Sequence, residues 1–157
     1  MLRRLLCFLS VIALILGLSG CGVAKVPLKI ESFTCDVKFQ SAGTQIKGEI
    51  TYNSPEDISL KIKEPENIKG IEFKADNKNM QVAVSEVSFS ANANQDSPVY
   101  ELFDILQTLA QSETDVSLKG EEEITLSHGD KQYRVMIDCE DKRPLFAETE
   151  NCGYIFE

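Results

Sequence analysis

The chain has 157 residues, enough for one domain with a modest core and too few for two. Apolar residues make up 43% and charged residues 26%, a balance that excludes wholesale disorder. A formal net charge of -9 with no basic cluster excludes nucleic-acid binding and electrostatic adhesion to anionic lipid.

Arg3 and Arg4 precede an uncharged apolar run over residues 5–18, the order of an n-region and h-region in an export signal. The run is short for a membrane span, which needs ~20 apolar residues. Leu18-Ser19-Gly20-Cys21 follows at once, and the small residues at 19 and 20 let the backbone enter a protease cleft in extended form. This segment resembles the lipobox of bacterial lipoproteins. The resemblance implies cleavage between Gly20 and Cys21 and a diacylglycerol, with palmitate-type chains, on the Cys21 thiol. Two acyl chains bury many methylenes at ~0.8 kcal/mol each, which suffices for stable anchoring. Gly22 stands after the cysteine, so the Asp of the inner-membrane retention signal known in some Gram-negative bacteria is absent. The expected location is extracytoplasmic, on the outer face of the cytoplasmic membrane or on an outer membrane where the host has one. Residues 22–30 read as a tether with a reach of at most ~30 Å, so the folded part sits close to the membrane.

Period-2 patterning dominates the rest. Phe33, Cys35, Val37 and Phe39 alternate with polar residues, and 41–43 reads as a turn. Ile46, Gly48, Ile50 and Tyr52 form a second strand, 53–57 a loop, and Ile58, Leu60 and Ile62 a third strand. After a break at 65–67 come Ile71 and Phe73, a turn at 76–79, and Met80, Val82 and Val84. Short polar turns between successive strands predict an antiparallel meander.

Ser97-Pro98 then reads as an N-cap followed by proline at the first helical position. Val99, Leu102, Phe103, Ile105, Leu106 and Leu109 recur at helical spacing, with Glu101 and Asp104 suited to the N-terminal turns. The spacing predicts a helix over 98–112. Strand patterning resumes at Val116 and Leu118, and again at Ile124 and Leu126 after the acidic run 121–123. A hairpin turn at 127–130 leads to Tyr133, Val135, Ile137 and Cys139, then turns at 141–144 and 150–153 lead into strands over 145–149 and 154–157.

The expected fold is α+β and mostly β: a curved antiparallel sheet or unclosed β-barrel of about nine strands, with one main helix covering the concave face. Nine strands at ~4.8 Å spacing make a sheet roughly 40 Å across, whereas a helix with its side chains is ~10–12 Å wide. One helix shields about a third of such a face, and an uncovered apolar remainder is an aggregation hazard. The sheet must curl, close, or bind something apolar. Phe39, Ile50, Leu60, Phe73, Val84 and Ile137 of the strands, with Phe103 and Leu106 of the helix, are the candidates for lining a cavity. Each has plain core packing as its alternative.

Cys35, Cys139 and Cys152 remain in the folded part, and an odd number allows at most one disulfide within a monomer. Export favours a bond, while small apolar core residues are the other reading, and the pairing is left open. The single histidine, His128, precedes Gly129 and reads as a solvated turn residue. The run 121–123 lacks the alternating oxygens of a calcium loop, zinc spacings are missing, and there is no glycine-rich phosphate loop. No metal, no cofactor and no enzymatic activity are expected.

The element order resembles the LolA/LolB-like superfamily of lipoprotein carriers and periplasmic lipid-binding proteins. The residues that carry the likeness are the strand ending in Tyr52-Asn53-Ser54-Pro55, the strand over 58–62, Pro65, and Gly70-Ile71-Glu72-Phe73. The helix in mid-chain and Pro144 in a late turn add to it. The resemblance implies an unclosed barrel with a helical lid over an apolar cavity that takes acyl chains. It implies three regions: a signal peptide over 1–20, a lipidated tether over 21–30 and a LolA-like half-barrel domain over 31–157. The carrier itself is soluble with a long N-terminal helix, whereas this chain has an anchor and a tether. Local acyl handling or sensing follows from that difference, rather than shuttling. The function expected is a membrane-anchored lipoprotein that binds a lipid or acyl chain. The alternative is a non-catalytic structural or interaction lipoprotein of the envelope with no cavity. The sequence names no protein partner.

Overall fold

A computed structural model describes residues 24–76, 79–91 and 97–157. The segment expected to be a signal peptide, with Gly20 and Cys21, lies outside the described residues.

The elements are β1 (Lys25–Pro27), β2 (Phe33–Ser41), β3 (Thr44–Ser54), β4 (Asp57–Glu64), a 3-10 turn (Glu66–Ile68), β5 (Ile71–Asp76), β6 (Asn79–Val84), β7 (Val87–Ala91), α1 (Pro98–Gln111), β8 (Asp115–Ser117), β9 (Glu121–His128), β10 (Lys131–Asp138), β11 (Arg143–Glu148) and β12 (Gly153–Phe156). Ten strands make one open antiparallel sheet in the order β7-β6-β5-β4-β3-β2-β12-β11-β10-β9, which curves without closing into a barrel. Two meanders, β2–β7 and β9–β12, are joined where β12 pairs with β2, Tyr154 opposite Phe39.

Turn chemistry sets the registers. Ala42 and Gly43 both adopt positive φ, 49° and 79°, the two-residue hairpin geometry that matches strand twist, and Ser41 faces Thr44. Gly129, at φ 60°, opens the equally short β9–β10 turn, with His128 facing Lys131. The Ser97 hydroxyl accepts a bond from the Tyr100 N–H at 3.3 Å and Pro98 occupies the first turn, so α1 starts where the N-cap pattern places it.

Beneath α1 the concave face is packed. Leu102, Ile105, Leu106 and Leu109 of α1 are fully buried against Val37, Ile50, Leu60, Val135, Ile137 and Tyr154 of the sheet. Gly48 of β3 makes room for Leu60 of β4 in this layer. A Cβ there would lie 2.7 Å from the Leu60 Cδ1 and 3.0 Å from the backbone oxygen of Lys61. Gly48→Ala will therefore lower stability by about 1–2 kcal/mol, the overpacking cost less what alanine gains by restricting the unfolded chain. A urea midpoint shift at unchanged slope checks it. The convex face is charged, with Lys63 bonded to Asp36 at 2.6 Å and to Glu49 at 2.8 Å. Those lysine bonds hold the Asp36 carboxyl below the usual range, Lys63 first and Lys47 second.

One feature departs from the expected layout. The segment read as a tether contains β1, which pairs with β8, Val26 opposite Val116. In the acidic run 121–123 of β9, Glu121 and Glu123 are exposed and Glu122 helps to hold that pair. Glu122 accepts bonds from the Ser117 N–H at 2.8 Å and from Lys25 at 3.0 Å. The Ser117 N–H first, then Lys25, hold its carboxyl down at about 2. A depressed carboxylate stabilises the fold above its ordinary pKa of 4.5, and this contribution is lost as pH falls toward about 2.

Candidate functional site

Ten strands at ~4.8 Å span roughly 43 Å, so α1 leaves part of the concave face bare. The helix lies closest to β9 and β2. The strands farthest from β9 along the sheet are β5, β6 and β7. One cross-strand row runs Leu60, Phe73, Val82, Phe89. Along it burial gives way from a fully buried Leu60 to Phe89, which is 53% exposed. The neighbouring row runs Ile71, Val84, Val87, ending at 44% and 66% exposure for the two valines.

These positions share one face because strand side chains alternate. Ile71, Phe73 and Ala75 of β5, Met80, Val82 and Val84 of β6, and Val87 and Phe89 of β7 point to the concave side. Every one is apolar. Glu72, Lys74, Gln81, Ser88 and Ser90 point the other way. The site is thus a greasy shelf, floored by buried Met80 and Val82 and half-buried Ile71 and Phe73, that opens at exposed Val84, Val87 and Phe89.

Of the residues the sequence nominates for a cavity, the structure packs Phe39, Ile50, Leu60, Phe103, Leu106 and Ile137 into the core under α1. It places Phe73 and Val84 on the shelf. Val87 and Phe89 were missed, although their alternation with Ser88 and Ser90 carries the strand signal.

A polar cluster fastens the other side of α1. Glu101 and Asp104 are both buried. Asp104 Oδ1 lies 2.8 Å from His128 Nδ1, and the Tyr133 hydroxyl donates to the other Asp104 oxygen. Thr149 donates to Glu101 at 3.2 Å, and Lys131 approaches it at 3.5 Å. Burial first, then the bond to Asp104, push the Tyr133 hydroxyl far above the usual tyrosine range. His128 ends β9 just before the turn, an exposed ring that Asp104 holds. Among the described residues no serine, threonine or cysteine side chain hydrogen-bonds to it, so the pair orients the ring without a nucleophile.

The three folded-part cysteines are free, buried thiols, the second of the two readings the sequence left open. Their strand positions explain it. Cys152 Sγ bonds to the Gln40 oxygen, five residues along β2 from Cys35, or ~16 Å at strand rise. Cys139 and Cys152 flank opposite ends of β11, and Cys35 is separated from β10 by β12 and β11. A disulfide needs Cα atoms within about 7 Å. Burial pushes the Cys35 thiol up to about 11, which makes it a poor nucleophile. Among the described residues no group of three or more His, Cys, Asp or Glu side chains could hold a metal ion, and no helix is long and apolar enough to cross a membrane.

No family model matches the chain, and no curated protein does. Among solved structures it is similar to a LolA superfamily protein from Nitrosomonas europaea, with a TM-score of 0.37 and 14% identity over 78% of this chain and 66% of that one. It therefore spans just under two thirds of that protein's length. It is also similar to an uncharacterized conserved protein from Thermus thermophilus, with a TM-score of 0.42 and 10% identity over 80% of this chain and 76% of that one.

Proposed function

We propose that this chain is a membrane-anchored bacterial lipoprotein whose half-barrel holds an acyl chain, or a lipid of similar shape, on the β5–β7 shelf. The observation that carries the reading is the outer end of the shelf: Val84, Val87 and Phe89 stand exposed beside buried Met80 and Val82, with no polar side chain on that face of the three strands. A contiguous exposed apolar patch marks a binding surface more often than idle surface, and hydrocarbon is the chemistry that fits one without hydrogen-bonding groups.

The anchor fits the same picture. With β1 paired to β8, the three residues between Cys21 and Lys25 span at most ~14 Å, about half the distance the sequence suggests. The domain then sits against the lipid that supplies its ligand, outside the cytoplasm. In cell fractionation, Cys21→Ala should release the chain from the membrane to the soluble fraction. Retention after a high-salt wash would refute the anchor.

For the ligand, a fluorescent fatty acid titrated into the Cys21→Ala chain should bind saturably. Phe89→Asp should weaken it about tenfold or more, since ~1.4 kcal/mol of lost burial suffices for that factor. Unchanged affinity in Phe89→Asp would move the ligand elsewhere. The second reading, an interaction lipoprotein without a ligand, is favoured by the solid packing beneath α1. It predicts no saturable binding in either protein.

A further inference from the structure

The opposite edge of the sheet has a groove of its own. It has a volume of about 540 Å³ and lies between the C-terminal half of α1 and β9. That size falls within the roughly 300–1,000 Å³ range of ligand clefts. Thr125, Leu126, Ser127 and His128 all line it. Successive strand side chains point to opposite faces, so only a space off the free edge of the strand can touch all four. β9 is the terminal strand of the sheet, and its eight residues pair with β10 in continuous register without a bulge. It contains neither proline nor lysine, the usual guards of an open edge. Over residues 125–128 its outward N–H and C=O groups therefore face the groove, and the open edge continues along the rest of the strand.

The far wall is polar. Gln107, Thr108 and Gln111 project from α1. Among the described residues, the side chains of Thr108, Gln111, Thr125 and Ser127 make no hydrogen bond. Charge then narrows the occupant. Glu121, Glu123, Thr125 and Ser127 form the exposed outer row of β9, and no arginine or lysine lines the groove. A second copy would bring the same acidic row and the same net charge of -9. Like charges opposite one another across strands are unfavourable, and opposite charges are favourable.

The geometry points to a docking groove for an extended, basic polypeptide segment that joins the sheet as an eleventh strand beside β9. The segment takes main-chain hydrogen bonds from the β9 edge. It sets basic side chains against Glu121 and Glu123, and turns its alternate side chains toward Gln107, Thr108 and Gln111. This site is separate from the shelf, and it stands or falls independently of acyl binding.

A dye-labelled seven-residue peptide alternating lysine and threonine, titrated against the full chain in detergent, tests it. Saturable binding is expected, with slowed amide hydrogen exchange over residues 123–128. Glu123→Lys, an exposed reversal, and Thr108→Phe, a plug in the groove, should each weaken binding at least fivefold. The same peptide with every backbone amide N-methylated should not bind, because charge remains but the strand hydrogen bonds do not. Binding by the methylated peptide, indifference to both substitutions, protection at other residues, or no binding at all would overturn the assignment. So would a neutral chitooligosaccharide that protects 123–128 when the peptide does not.

Discussion

Leu106→Ala will lower the unfolding free energy by about 2–5 kcal/mol, a large share of the ~5–15 kcal/mol that a domain commonly has. Leu106 is fully buried in mid-helix, and it faces the concave sheet beside Leu102, Ile105 and Leu109. Alanine is the better helix former, so the loss comes wholly from the cavity and from lost transfer of apolar surface. Leu118, 51% exposed before β9, serves as the control, and its alanine variant should shift stability by less than about 0.5 kcal/mol. Urea unfolding of both variants measures the difference. The result also bears on the role of α1. A helix packed as core gives the large penalty, whereas a lid resting over a void gives a small one.

Tyr133→Phe will cost about 1.5–3 kcal/mol, the usual range for a hydrogen bond to a charged group. The hydroxyl donates to a buried carboxylate, Asp104, which also holds His128. Removing the donor leaves buried Asp104 with His128 as its remaining side-chain partner. A double-mutant cycle with Asp104→Leu separates this from lost packing, and the coupling should be about 0.5–3 kcal/mol. The pH dependence follows from the raised Tyr133 pKa. Its stabilisation is complete below the ordinary tyrosine value of 10.0 and is lost as pH rises above it. The Phe variant should therefore lose less stability between pH 9 and about pH 11 than the parent protein.

Local chemistry made much of this legible in the sequence. Alternation in residues such as Ile58, Leu60 and Ile62 marks β4, and Ser97-Pro98 marks the start of α1 within a residue. The width of the sheet against one helix already implied a bare apolar face. Which strands would be bare was not readable, because that depends on β12 pairing with β2, more than a hundred residues apart. The same long-range pairing keeps Cys35, Cys139 and Cys152 apart, which spacing along the chain does not reveal. β1 has only three residues, too few to show a period, so it passed as tether. Glu101 and Asp104 looked like helix-terminus charges. Their spacing of three beside Leu102 and Ile105 places them next to the buried stripe, and the β9–β10 hairpin supplies partners that make burial tolerable.

The shelf is the point on which the functional account turns, and photo-crosslinking addresses it directly. A fatty acid with a diazirine at its chain terminus, irradiated with the Cys21→Ala protein and mapped by peptide mass spectrometry, should leave adducts on residues 71–91 that excess unlabelled fatty acid suppresses. Adducts confined to other segments, or none above the unirradiated control, would contradict it.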